Sequence, residues 1–99
     1  MGYQPFDLSG KVVLVTGGNG GIGFGMADAL AQAGADIAIW GRNAAKNEEA
    51  EAKLRGEGVR AKAHEVDVAD EKAVVTAMKE TLAEFGRIDA VFANAGIGG

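Results

Sequence analysis

Apolar and polar positions change their period along this chain, and each change marks an element. Val12 to Val15 is a short β-branched run that suits a strand buried on both faces, and Ile22, Met26, Ala29, Leu30 and Ala33 then recur at helical spacing until Gly34. A second apolar run, "ADIAIW", follows after a short turn. The stretch "AAKNEEAEAKLRGEG" predicts a mostly solvated helix. In it Glu49 and Lys53, like Glu51 and Arg55, stand four apart with the acid first, Ala50 and Leu54 form the inner edge, and Gly56 ends it. "VRAKAHEVDV" alternates imperfectly and predicts a third strand. Asp70 is placed to cap "EKAVVTAMKETLAEFG", whose Val74, Ala77, Met78, Thr81, Leu82 and Phe85 make one apolar face before Gly86. "IDAVFANAG" predicts a fourth buried strand that ends in a small-residue loop. Strands alternating with helices at this spacing imply an α/β fold with right-handed crossovers, a parallel sheet and helices on both faces.

Composition narrows the possible partners. With 99 residues, 47% of them apolar, the chain makes one small globular domain. A net charge of -4 supplies no basic field for nucleic acid or an anionic membrane surface. The lack of cysteine excludes disulfides and thiolate metal sites, and no segment reaches the roughly 18 apolar residues of a membrane span. "MGYQPFDLSGK" lacks a basic region followed by an apolar run. The expectation is a soluble, cytoplasmic chain that binds no nucleic acid, membrane or metal. His64, the only histidine, reads as surface without a partner, and Trp40, at the end of a buried strand, as packing.

The segment "VVLVTGGNGGIG" carries five glycines within seven residues between the first strand and the first helix. Glycine costs more backbone entropy to order than any other residue, so such a loop is an expensive connector unless its bare backbone is needed. A helix N-terminus offers free N–H groups and partial positive charge, and without side chains phosphate oxygens can approach the backbone. At the start of a βαβ unit this arrangement points to a dinucleotide pyrophosphate. A merely permissive turn is the alternative.

Thr16, Gly17, Gly21, Ile22 and Gly23 form T-G-x-x-x-G-I-G, Asp67 follows the third strand, and Asn94, Ala95 and Gly96 form N-A-G. With the "LSGK" lead-in, nearly the whole chain resembles the N-terminal half of the classical short-chain dehydrogenase/reductase family. The resemblance implies a Rossmann-type sheet with strand order 3-2-1-4 and the fourth strand at its edge. It implies that Gly17, Asn19, Gly20, Gly21, Ile22 and Gly23 hold the cofactor pyrophosphate, that Asp67 and Val68 meet the adenine, and that Asn94, Ala95 and Gly96 line the nicotinamide end. Asp67 also reads as a turn residue, and Asn94 as a backbone tie between strands.

An acid at the end of the second strand would bond the ribose 2'-hydroxyl and repel a 2'-phosphate, but this chain has Gly41 and then Arg42, whose fork suits a phosphate. NADP is therefore favoured over NAD. Against this, Gly20 stands where NADP users of the family often carry a second basic residue, and Arg42 also reads as a solvated loop cation.

The family's catalytic serine and Tyr-x-x-x-Lys pair have no counterpart. Tyr3 is followed four positions on by Asp7, and Ser9 precedes the first strand. Residues 1–99 thus read as the cofactor-binding part of a single domain whose catalytic part is absent. On this reading the chain has no catalytic residue and no hydride transfer of its own, and an uncovered fourth strand invites association. The parent would be an oxidoreductase of alcohol or carbonyl substrates, sugar acids among the possibilities, and a homo-oligomer. A stand-alone non-catalytic nucleotide-binding module is the other reading, and a purely structural partner for another chain the third.

Overall fold

Val12 to Thr16 form the central strand because every position of the run is apolar or β-branched, and all five residues are buried. The computed structural model describes residues 7–17 and 20–93. Its elements are β1 (Val12–Thr16), α1 (Gly21–Gln32), β2 (Asp36–Gly41), α2 (Ala44–Arg55), β3 (Ala61–Glu65), α3 (Glu71–Phe85) and β4 (Ala90–Ala93). The four strands pair in parallel in the order β3-β2-β1-β4, as the family resemblance implies.

Alternation along β1 and β2 divides the core between two faces. Val13, Val15, Ile37 and Ile39 pack with Ala27 and Ala31 of α1 and with Ala50 and Leu54 of α2. Val12, Leu14, Ala38 and Trp40 pack on the other face with Ala77 and Phe85 of α3. Trp40 donates its indole N–H to Thr81 Oγ1 at 3.1 Å, so the packing role expected of it comes with a satisfied polar tip.

The buried stripe of α1 differs from the one the sequence suggests. Gly23, Ala27 and Ala31 face the sheet, whereas Ile22 is 80% exposed and Ala29 is also on the outside. The smallest side chains face inward because they let the helix axis lie close to the strands, which large side chains would prevent. On α3, Ala77, Thr81 and Phe85 are buried, but Leu82 of the expected apolar face is 43% exposed. β4 is not the buried strand expected: all four of its residues are exposed, because among the described residues it has a neighbour on one side only. His64 is a further correction. Its side chain is 15% exposed and Nε2 lies 3.8 Å from Glu80 Oε1, because its place in β3 turns it toward α3. Of the two pairs expected along α2, Arg55 and Glu51 meet at 2.6 Å, while Lys53 instead stands over the Phe24 ring at 5.6 Å from its centroid. Among the described residues no helix is long and apolar enough to cross a membrane.

Candidate functional site

Parallel register gathers the ends of the strands on one side. Thr16 is level with Trp40 of β2 and with Ala93 of β4, and Trp40 is level with His64 of β3. The segments that follow β1, β2 and β3 therefore leave the same carboxyl edge. β1 lies where the connections reverse direction, since β2 and β3 are laid down on one side of it and β4 on the other. A crevice at such a switch point is where open α/β sheets bind ligands.

The glycine loop opens there. Gly17 donates its N–H to the Trp40 carbonyl at 2.8 Å, which pins the start of the loop to β2. Its φ of 68°, like the 57° of Gly21, lies in the left-handed region that favours glycine. Gly20 is the N-cap of α1, and among the described residues no side chain caps that turn and no acid lies in it. An added Cβ at Gly20 or Gly21 would meet none of the described residues within 4 Å. Gly23 is buried beneath. Exposed N–H groups, the positive end of a helix and missing side chains together suit an anionic phosphate. The residues present therefore fit a dinucleotide on the grounds of backbone geometry and charge.

The neighbouring segments supply the remaining groups. Arg42 is exposed directly after β2, and among the described residues it forms no ion pair. Asp67 and Val68 are exposed after β3. Asp67 Oδ1 accepts the Ala69 N–H at 3.0 Å, so the turn role of this residue is real, and it leaves the second carboxylate oxygen for another partner. Gly17, Gly20, Gly21, Ile22, Gly23, Arg42, Asp67 and Val68 thus share one edge of the sheet. Asn19, Asn94, Ala95 and Gly96 lie outside the described residues. Among the described residues no group of three or more His, Cys, Asp or Glu side chains could hold a metal.

Asn47 is a positioning residue that the sequence pattern did not single out. Buried on α2, it donates through Nδ2 to the carbonyls of Gly41 at 3.0 Å and His64 at 3.2 Å. The Gly41 carbonyl also accepts the Val66 N–H at 3.0 Å. These bonds lock the ends of β2 and β3 together, and so fix the bases from which Arg42 and Asp67 project. An asparagine on the inner face of an otherwise apolar and charged helix was the available signal.

The family model described as short chain dehydrogenase matches residues 11–99. The chain belongs to the short-chain dehydrogenase family. It is 47% identical over 94 residues to a probable NADP-dependent mannitol dehydrogenase of Yarrowia lipolytica, covering 95% of this chain and 34% of that protein. The crystal structure of an NAD+-bound xylitol dehydrogenase superimposes with a TM-score of 0.90 at 42% identity, over 93% of this chain and 35% of that one. A metagenomic short-chain oxidoreductase in complex with NADP superimposes with a TM-score of 0.85 at 34% identity, over 92% of this chain and 41% of that one. The chain spans about a third of the length of the curated relatives it matches.

Proposed function

We propose that residues 1–99 are the N-terminal, dinucleotide-binding part of a single Rossmann-type domain in an NAD(P)-dependent oxidoreductase, with NADP preferred over NAD. The observation that carries this reading is the glycine-lined, acid-free start of α1 at the carboxyl edge of the sheet, which has no side-chain cap among the described residues, with Arg42 leaving the same edge after β2. Gly17, Asn19, Gly20, Gly21, Ile22 and Gly23 hold the pyrophosphate, Asp67 and Val68 meet the adenine, and Asn94, Ala95 and Gly96 serve the nicotinamide end. Arg42 takes the 2'-phosphate, with no acid at Gly41 to repel it.

When bound, the cofactor supplies a hydride donor or acceptor. The residues of this chain bind and orient it, and residues outside 1–99 act on the substrate. An alcohol/carbonyl pair, sugar-derived or a sugar acid, is the substrate class. Relatives named as mannitol dehydrogenase, sorbose reductase and gluconate 5-dehydrogenase support it. Calorimetric titration with NADP and NAD tests the reading. NADP is expected to bind more tightly, and Arg42→Ala to remove most of the difference, about 1 to 3 kcal/mol for a charged hydrogen bond. Tighter NAD binding, or no response to Arg42→Ala, overturns it.

A further inference from the structure

The first turn of α2 breaks a local rule. Asn43 caps the helix by accepting the Lys46 N–H at 3.0 Å, so Lys46 occupies the third helical position. A cap of this kind is commonly completed by Glu or Gln at that position, and an acid also complements the positive end of the helix dipole. Here a cation stands there and the first turn holds no acid. Local rules are broken mostly where function compensates.

The place of Lys46 supplies that compensation. It lines, with Gly20, Gly21, Phe24, Glu49, Ala50 and Lys53, a cleft of about 310 Å³ between the glycine loop and α2. Of the charged residues around this cleft, Lys53 is committed to the Phe24 ring. Glu49 stands one helical turn beyond Lys46 on the same face of α2, so the cleft carries two lysines against one acid. Lys46 makes no ion pair among the described residues. It lies beside the acid-free starts of two helices, four positions after Arg42 in the chain, and it makes no ion pair with Glu49, the one acid that lines the same cleft. Such an excess of positive charge suits a dianionic phosphate monoester better than a hydroxyl.

We propose that Lys46 is the second cation of a two-point clamp, with Arg42, for the ribose 2'-phosphate of NADP. It does from α2 what a basic residue at Gly20 would do from the loop. This inference rests on the NADP reading above and adds a specificity-determining residue to it.

The test is titration of NADP and of NAD into the chain and its variants, with circular dichroism to follow the fold. Lys46→Gln is expected to weaken NADP about tenfold, the size of one lost charged contact, while NAD affinity stays within about twofold. Lys46→Arg restores NADP binding, and Lys53→Gln leaves the NADP to NAD ratio unchanged. Lys46→Glu completes the capping pattern, so it raises the melting temperature while weakening NADP by more than Lys46→Gln does. The neutral Lys46→Gln change carries the discrimination, because a lysine that only packs would leave the NADP to NAD ratio unchanged there. If Lys46→Gln leaves the ratio unchanged, or weakens both cofactors equally, while Arg42→Ala still lowers the ratio, the clamp is wrong and the NADP reading stands. If the parent chain prefers NAD or binds neither cofactor, the NADP reading fails and the clamp fails with it.

Discussion

The two edges of the sheet differ at one helix terminus. At the amino edge side chains tie the strand starts: Asp36 accepts from the Arg60 N–H and Nε at 2.9 Å each, and Asp89 Oδ2 accepts the Val12 N–H at 2.8 Å. Leu8 donates its N–H to Ala33 at 2.8 Å, and Ser9 packs so tightly under Gly34 that a Cβ there would come within 2.9 Å of the hydroxyl. At the carboxyl edge the starts of α2 and α3 are tied in the same way, Asn43 capping one and Asp70, through Lys72 and Ala73, the other. Among the described residues only α1, of the three, starts without a side-chain cap. Two helix termini at this edge are closed by side chains, and among the described residues the third is left open where the topology forms a crevice. An unsatisfied terminus costs stability, so leaving it open makes sense where a ligand completes it.

Closing the open terminus by force should have the largest effect. Gly17→Val puts a β-branched residue at a φ of 68°, and it is expected to abolish dinucleotide binding while the helical circular dichroism signal persists. Retained affinity would show the loop to be only a connector. A gentler version makes the start of α1 resemble that of α3. Gly20→Asp meets no steric obstacle among the described residues, since φ there is -175° and a Cβ has none of them within 4 Å. It should stabilise the fold by about 0.5 kcal/mol through capping and the helix dipole, and weaken NADP and NAD alike by about tenfold through repulsion of the pyrophosphate. Stabilisation without loss of affinity in a titration would separate the terminus from the ligand.

The reverse change removes a cap that has only a structural role. Asp70→Ala should cost about 1 kcal/mol of stability, measured by urea unfolding, and leave dinucleotide affinity unchanged. A matching loss of affinity would mean that the carboxyl edge does not divide as described. The smallest effect concerns the amino edge. The Arg87 guanidinium, with the Val12 N–H, holds the Asp89 carboxyl below its ordinary value of 3.8. A carboxyl lowered by folding contributes stability above its unfolded value, and that stability fades as pH falls from about 4 through the folded value. Asp89→Asn should therefore flatten the acid limb of a stability profile below about pH 4 and change little at neutral pH. Unfolding midpoints that fall equally steeply in both proteins would remove Asp89 from that account.

Much of this was legible in the sequence because it follows from local rules. β-branched runs, helical periods and the capping residue Asp70 mark the elements, and their alternation dictates a parallel sheet. The spacing of Thr16, Gly17, Gly21, Ile22 and Gly23 marks the loop, since few other uses require so many bare residues after a buried strand. What period could not decide is which of several small or apolar residues faces inward. For α1 the contest between Ile22 and Gly23 was settled by how closely the helix approaches the strands, a distance that exists only once the sheet is formed. The same holds for His64, which reads as surface until α3 is laid against β3, and for Asn47, whose two carbonyl partners come from different strands. Lys46 is the sharpest instance: along the chain it is one charge in a solvated helix, and only the packing of α1 beside α2 brings it to the cleft it shares with Gly20 and Gly21. Local free energies of propensity, capping and burial pattern are written residue by residue and can be read that way. Facing, proximity and unpaired charge are relations between distant residues, and they acquire values only when the chain is folded.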